Sequence, residues 1–206
     1  MINSIKHILI FIGFLCLFSQ SPDYRQQTIE FRKKQNAIFK SGDKSPLSQD
    51  DKKEFVALKY YPYDPEYVVE ANFTPVDEDS TIQVTTTMNQ VSDYEKYGYL
   101  DFNLKGESYR LLVMYGPQYR NHPEYHNFLS LYFTDQTNGD ETYEVGRYLE
   151  LRAPLKKKVV LNFNNTYNPY CAYRYGYSCP IPPKENHLNT KLQAGVKKGI
   201  LKKKRF

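Results

Sequence analysis

Alternation of hydrophobic and polar residues runs through the middle of the chain and predicts β-strands. In the run 81–88, Ile82, Val84 and Met88 fall on one face, and the polar residues between them fall on the other. A strand with one buried face has this period of two. The run 97–104 repeats the pattern, so each run is expected to bury one face.

Further runs of this kind are rich in β-branched and aromatic residues and are separated by turn residues. The predicted strands are 67–73, 81–88, 97–104, 109–114, 128–133, 147–151 and 159–163. Because turns rather than helical patterns separate them, the sequence predicts a mainly β fold: an antiparallel sandwich or barrel-like domain. The link 105–108 contains Gly106 and is expected to form a hairpin.

Helical signals precede the strands. Asp23, together with the proline before it, is typical of a helix start, and Gly42 is typical of a helix end. A surface helix over about 24 to 40 is therefore expected. Ser48 and Asp51 resemble a capping box, which opens a second short helix.

Prolines break the regular pattern near the end of the chain. Asn168-Pro169, Cys179-Pro180 and Pro182-Pro183 preclude a long helix or strand, so a Pro-rich C-terminal coil is expected. The predicted organisation has four parts. These are a signal peptide at 1–20, an N-terminal helix and linker at 21–45, a β-rich domain at 46–197 and a basic tail at 198–206.

The apolar run 8–18 has the length of a signal-peptide core and is shorter than the roughly twenty residues of a membrane-spanning helix. The sequence therefore predicts an exported protein, periplasmic, in the cell envelope or secreted, with cleavage near Ser19. Cys16 raises the alternative of a lipid anchor. Because the bulky Phe14 and Leu15 precede it, cleavage without lipidation is favoured.

Cys171 and Cys179 are the cysteines that remain after the leader. An even number of cysteines in an exported protein predicts a disulfide bond between them. The alternative is a thiolate metal site, which lacks a second Cys or His pair at ligand spacing.

The positive charge is concentrated at the C-terminus. The formal net charge is +5, but six of the positive charges lie in residues 197–206 and Lys6 lies in the leader, so the body carries about −2. A nucleic-acid binder would carry its positive charge on a folded face. The sequence therefore predicts no nucleic-acid partner, and the tail is expected to be able to contact anionic envelope surfaces.

The usual signatures of catalysis and cofactor binding are missing: no Gly-rich phosphate loop, HExxH, GxSxG or GxGxxG occurs. His122 and His126 are four residues apart, as in a helical metal pair, but Pro123 places them in a loop. The sequence therefore predicts neither a cofactor nor a metal.

Two polar segments contain residues suited to catalysis or to ligand binding. The segment 135–144 has carboxylates beside Asn138-Gly139, which suits an acid/base or calcium-binding loop. Because Asn-Gly is a strong hairpin signal, a solvated turn is favoured. The segment 162–186 is crowded with amides and rings, which either satisfy one another in a structural coil or are offered to a polar ligand.

Several short motifs occur in order in these segments: Glu141-Thr142-Tyr143, Gly146-Arg147-Tyr148-Leu149, Asn162-Phe163-Asn164, Tyr167-Asn168-Pro169, Cys171-Ala172, Cys179-Pro180, Pro182-Pro183 and Glu185-Asn186. In this combination the chain resembles the uncharacterised bacterial family called domain of unknown function 1684. The resemblance covers about residues 46 to 197. It implies that these residue types recur together, and loops of a β domain can gather them at one site. An ion pair of Arg147 with Glu141 or Glu185 would instead only hold the C-terminal coil.

The sequence leaves three functions open. The first is a non-catalytic module that binds a small polar ligand in a polar pocket. The second is a hydrolase-like enzyme with Glu141 or Glu185 as general base and Arg147 or an asparagine stabilising an oxyanion. The third is a structural or interaction protein of the envelope. The candidate ligand-binding residues are Glu141, Tyr143, Arg147, Asn162, Asn164, Tyr167, Asn168, Glu185 and Asn186.

Overall fold

The computed structural model describes residues 23–77 and 80–199 of the chain. The predicted signal peptide, including Cys16, and most of the predicted basic tail lie outside these residues. Within the described residues, no helix is both long enough and apolar enough to cross a membrane.

Eight strands form one curled, half-barrel sheet. The strands are β1 Val68–Pro75, β2 Thr81–Thr85, β3 Val91–Leu104, β4 Glu107–Tyr115, β5 Phe128–Asp135, β6 Arg147–Arg152, β7 Lys158–Asn162 and β8 His187–Leu188. The order is β6-β5-β4-β3-β1-β7 with antiparallel neighbours, while β2 pairs with β3 and the short β8 runs parallel to β5. The predicted mainly β, barrel-like fold is confirmed.

Each of the seven predicted runs contains a strand, but some ends differ. The chain turns after β2, where the Thr86 amide donates to the Gln90 carbonyl at 2.8 Å. Met88 therefore lies in a turn with 54% of its surface exposed, and the expectation that it shares the buried face with Val84 is wrong. The predicted hairpin is confirmed and is tighter than expected, since only Lys105 and Gly106 connect β3 to β4.

The sheet buries residues on both of its faces. On one face the main core packs alternate residues of the central strands, including Leu100 of β3, Leu111 of β4 and Leu131 of β5. On the other face Leu112 and Met114 of β4 join a tyrosine-rich cluster. Both faces are covered because the C-terminal coil and the helices pack around the sheet.

The two predicted helices are confirmed as α1, Tyr24–Ser41, and α2, Gln49–Glu54. The Asp23 carboxylate caps α1 by accepting from the Gln26 amide at 2.9 Å, and the Ser48 hydroxyl caps α2. Phe39 of α1 packs edge-on against Tyr173 of the coil, with 4.7 Å between ring centres. This contact packs α1 against the C-terminal coil.

Candidate functional site

Arg147 is the first residue of β6, and its side chain is fully buried. Its guanidinium lies 2.7 Å from the Asp135 carboxylate and donates to the carbonyls of Leu192, at 2.7 Å, and Ala194, at 2.5 Å. Asp135 in turn accepts from the Leu192 amide at 3.2 Å. This buried ion pair holds the C-terminal coil against the sheet. The ion-pair partner of Arg147 is Asp135, and the prediction of Glu141 or Glu185 as that partner is wrong.

Asn186 fills the gap where β4 and β5 separate. These strands pair at one position, Met114 with Ser130. The side-chain oxygen of Asn186 accepts from the backbone N–H of Leu112 at 2.7 Å. The side-chain nitrogen of Asn186 donates to the backbone carbonyls of Leu112, at 2.9 Å, and Tyr132, at 2.8 Å. One side chain thus supplies the bonds that a neighbouring strand would give.

Asn162, the last residue of β7, and Asn164, two residues later, tie the sheet to segments that precede β1. The side-chain amide of Asn162 donates to the hydroxyl of Thr28 in α1 at 2.9 Å. The Asn164 side chain accepts from the Asp64 amide at 3.0 Å and donates to the Asp64 carbonyl at 2.9 Å. These paired contacts join the link before β1 to the segment after β7.

Glu141 and Glu185 are each hydrogen-bonded by a tyrosine. Glu141 accepts from the Tyr61 hydroxyl at 2.9 Å, and this bond lowers the pKa of the glutamate. Glu185 accepts from the Tyr99 hydroxyl at 3.2 Å on an exposed part of the surface. The two carboxylates therefore have different partners from Arg147.

Cys171 and Cys179 are buried and adjacent, and no disulfide joins them. The Cys171 amide donates to the Cys179 sulfur at 3.3 Å, and the Tyr143 hydroxyl contacts the Cys171 sulfur at 3.5 Å. A hydrogen bond with Cys171, together with burial, raises the pKa of the Cys179 thiol well above its usual range. The disulfide stays a prediction.

The candidate residues therefore have separate surroundings rather than one common pocket. Arg147, Asn162, Asn164 and Asn186 are buried in contacts that hold segments of the chain together. Among the candidates, Tyr167 and Asn168 line a cleft of about 560 Å³. This cleft is the candidate site.

The floor of the cleft is made by β5 and β6. Cross-strand pairing places Phe128 opposite Arg152, Ser130 opposite Glu150 and Tyr132 opposite Tyr148. Since side chains two residues apart share a face of a strand, all three pairs lie on one face of the sheet. The helix α1, the β4–β5 loop and the C-terminal coil supply the walls.

Aromatic rings dominate the lining. The rings are those of Phe31, Tyr119, Tyr125, Phe128, Tyr132, Tyr148, Tyr167, Tyr170 and Tyr177. Tyr167 is placed by its backbone, which exchanges hydrogen bonds with Tyr148 at 2.9 and 3.0 Å. Its ring then meets the Tyr148 ring edge-on, with 5.9 Å between centres. Six of these residues are partly exposed, whereas Phe128, Tyr132 and Tyr148 are buried.

Glu150 is the carboxylate in this lining. Its side chain remains accessible to solvent within the cleft, yet the protein around it displaces enough water to raise its pKa. The Tyr167 hydroxyl, Arg152 and Lys34 act in the opposite direction without cancelling this effect. A carboxylate with a raised pKa in a cleft is a candidate functional group, and Glu150 meets this description.

Glu150, Tyr132 and Tyr148 line the cleft but were not among the site residues predicted from the sequence. The available signal was the alternation along β6, which places Tyr148, Glu150 and Arg152 on the face away from the main core. The alternation along β6 shows which residues share a face of the sheet. It cannot show that this face lines a cleft, because the walls of the cleft come from segments distant along the chain.

The loop between β4 and β5 contains His122 and His126, as expected. His122 accepts from the Glu124 amide at 3.2 Å and stacks on Tyr125, with 4.3 Å between ring centres. Across residues 23–77 and 80–199, no three His, Cys, Asp or Glu side chains form a group that could hold a metal ion.

Comparison with solved structures adds a relative of the same fold. The solution NMR structure of the uncharacterized protein from gene locus rrnAC0354 of Haloarcula marismortui is 31% identical, with a TM-score of 0.65. The similarity covers 85% of this chain and 94% of that one.

No curated protein matches the chain. The family described as protein of unknown function (DUF1684) matches residues 53–197, which include all the motifs that carried the resemblance. By this match, the chain belongs to the DUF1684 family.

Proposed function

We propose that this protein is a non-catalytic module that binds a small molecule in the aromatic cleft. The observation that carries the proposal is the lining: nine aromatic side chains, one carboxylate, Glu150, and two cationic side chains, Lys34 and Arg152, line a cleft of about 560 Å³. Small-molecule sites are typically clefts of roughly 300 to 1,000 Å³ with apolar walls and a few polar groups. The cleft has both the size and the chemistry of such a site.

The proposed site excludes most of the candidate residues. Most hydrogen-bonding groups of Arg147 and Asn186 are bonded to backbone or to Asp135, so these two residues have little to offer a ligand. Of the candidate residues, Tyr167 and Asn168 line the proposed site, together with the motif residues Tyr148, Pro169, Cys179 and Pro180.

A hydrolase-like enzyme is the second candidate, and Glu150 is the observation that favours it. A general base at neutral pH needs a raised pKa inside a pocket, which Glu150 has and Glu141 lacks. Binding is the better-supported function because, among the described lining residues, Glu150 has no second carboxylate or histidine to share the chemistry. Turnover of an ester or glycoside that Glu150→Gln abolishes would favour the enzyme.

The test of binding is a thermal-shift screen with a library of ring-bearing and charged small molecules. Ligands that raise the melting temperature are retested on Tyr170→Ala, which removes a ring from the cleft. Tyr175→Ala is the matched control, because Tyr175 is on the same coil but outside the cleft.

We expect Tyr170→Ala to lose most of the shift and Tyr175→Ala to keep it. Equal loss in both variants would contradict a site in this cleft, and a library without any stabilising compound would contradict the proposal.

We extend the proposal to export, which rests on the apolar run 8–18 and on the closeness of Cys171 to Cys179. Intact mass of the protein from a periplasmic fraction tests this, since a leader still attached would contradict it. An anionic surface is the proposed partner of the basic tail. Salt-sensitive binding to anionic vesicles that is lost on deletion of 200–206 would support that partner, and unchanged binding would contradict it.

A further inference from the structure

We propose that the ligand of the aromatic cleft is a small carboxylate with an apolar body, whose carboxylate group is bound by Arg152 and Lys34. The inference rests on the proposed function and names the chemical class of its ligand. It follows from the charge of the lining, from the donors that the two cations leave free and from the open rings beside them.

The charged side chains of the lining sum to one positive charge when Glu150 is ionised. Lys34 and Arg152 are the cations, and Glu150 is the anion. Burial raises the pKa of Glu150, and both cations act on it in the opposite direction, so the three groups interact within one part of the cleft. A ligand with one negative charge would balance this part of the lining.

Arg152 is held in place and still has free donors. Its Nη1 atom donates to the Glu124 carbonyl at 3.2 Å and to the Asn127 side chain at 3.0 Å. Its guanidinium carbon lies 4.8 Å from the centre of the Phe128 ring. Among the described residues, the Nε and Nη2 atoms of Arg152 have no hydrogen-bond partner. The protein therefore fixes the guanidinium through one nitrogen and leaves two for a ligand.

The free edge of Arg152 matches a carboxylate, because two N–H groups of a guanidinium can bind both carboxylate oxygens. Arg110 of this protein binds Asp101 in this way, through Nε at 2.6 Å and Nη2 at 2.9 Å. Arg152 has the same two atoms free, and no described carboxylate lies within 4.0 Å of it. A ligand carboxylate can form with Arg152 the pair that Asp101 forms with Arg110.

Each cation has an open ring nearby. Lys34 lies one turn after Phe31 on the same face of α1, and both line the cleft. The Arg152 guanidinium carbon lies 5.9 Å from the centre of the Tyr125 ring. Phe31 and Tyr125 are partly exposed, unlike the buried rings on the floor. An aromatic body attached to the bound carboxylate can therefore pack against rings that are free to receive it.

Other ligand classes fit less well. An organic cation would meet two like charges and a single carboxylate. A neutral ring compound would pack on the open rings but leave the free donors of Arg152 unused. A phosphate ester carries about −1.5 to −2 charge near neutral pH, which exceeds the charge of the lining and increases repulsion from Glu150.

The experiment compares benzoate with benzamide, which has the same shape but no charge. Binding of each is measured by NMR titration of the full chain at neutral pH and low ionic strength. We expect benzoate to bind at least about tenfold more tightly than benzamide, because its charge meets both cations. Lys34→Gln and Arg152→Gln should each reduce this preference to about onefold to threefold.

Two further variants separate a local effect from the overall charge. Lys33→Gln is the matched control, because Lys33 is exposed and adjacent to Lys34 but does not line the cleft, so it should keep the preference. Glu150→Gln removes the negative charge of the lining, so it should tighten benzoate binding by about threefold or more. Benzamide binding should stay within about twofold.

The outcomes separate the inference from the proposed function. Equal affinity for benzoate and benzamide in the wild-type protein overturns the carboxylate ligand and leaves binding in the cleft standing. The inference also fails if Lys33→Gln loses the preference as Lys34→Gln does, or if Glu150→Gln weakens benzoate binding.

A cleft that responds to neutral or cationic compounds of the library but not to benzoate overturns the inference as well. If no compound of any class perturbs the cleft residues, the proposed function itself fails. The wild-type comparison needs no variant, so the test does not depend on the folding of the substituted proteins.

Discussion

β6 carries charged residues on both of its faces, and the surroundings of Arg147 and Glu150 differ. On the core face Arg147 is fully buried, with Asp135 and the backbone of the C-terminal coil as partners. On the cleft face Glu150 has a tyrosine hydroxyl nearby and no described ion-pair partner. A buried charge that is ion-paired and hydrogen-bonded to backbone is typical of a structural role, while a carboxylate with a raised pKa in a cleft is typical of a candidate site.

The largest expected effect comes from breaking the core-face network. Arg147→Met leaves Asp135 buried without its counter-charge and frees the coil around Leu192, so we expect a loss of about 3 to 5 kcal/mol in the free energy of unfolding. Urea unfolding measures it. Arg152→Met, on the cleft face of the same strand, is the matched control and should cost about 1 kcal/mol or less.

A double variant sharpens this prediction. Arg147→Met combined with Asp135→Leu removes both charges, so it should recover part of the stability that the single change loses. A loss below about 1 kcal/mol for Arg147→Met alone would show that the ion pair does not hold the coil.

Asn186→Leu has the next largest expected effect. It keeps the volume of the side chain but leaves the Leu112 amide and carbonyl and the Tyr132 carbonyl without their partner. We expect a loss of about 3 kcal/mol on urea unfolding, since each unsatisfied buried group costs about 1 to 3 kcal/mol. Asn189→Leu, at an exposed position of the same coil, should change stability by less than about 0.5 kcal/mol. Equal effects of the two changes would refute the bridging role.

Oxidation of the cysteine pair has a somewhat smaller expected effect. A Cys171–Cys179 bridge would close a short loop in the coil that borders the cleft and raise the free energy of unfolding by about 2.5 kcal/mol. Intact mass of unreduced protein should be lower by about two hydrogens, and reduction should lower the melting temperature. Cys171→Ser should be insensitive to reduction; a wild-type protein that is equally insensitive would mean that the pair stays reduced.

The smallest expected effect concerns pH. Burial raises the pKa of Glu150 in the folded protein above its value in the unfolded chain, so the ionised form of Glu150 opposes folding. At pH values below the unfolded-state pKa this cost is absent. Stability is then lost as the pH rises through the folded-state pKa. Glu150→Gln should therefore melt like the wild type at pH near 3 and above it at neutral pH. Lys34, Arg152 and the Tyr167 hydroxyl face Glu150 and limit the size of the difference. A wild type that is the more stable at neutral pH would contradict the raised pKa.

Local signals predicted most of the fold. Period-two alternation and runs of β-branched and aromatic residues between turns predicted the seven longer strands, and start and stop residues predicted both helices. The first part of β3 was missed because residues 91–96 pair mainly with the short β2 and bury little apolar surface. β8 was missed because it is two residues long and owes its place beside β5 to contacts made by Asn186.

Alternation along the strands and the starts of the helices follow from residues that are neighbours in the sequence. The partners of Arg147 and of the asparagines depend on how the chain packs. Asp135, rather than Glu141 or Glu185, meets Arg147 because the register of β5 with β6 brings it to the same face. Glu150 lies in a cleft because α1 and the C-terminal coil, distant along the chain, supply its walls. Alternation and capping act between neighbours in sequence, whereas ion pairs and clefts depend on how the whole chain packs.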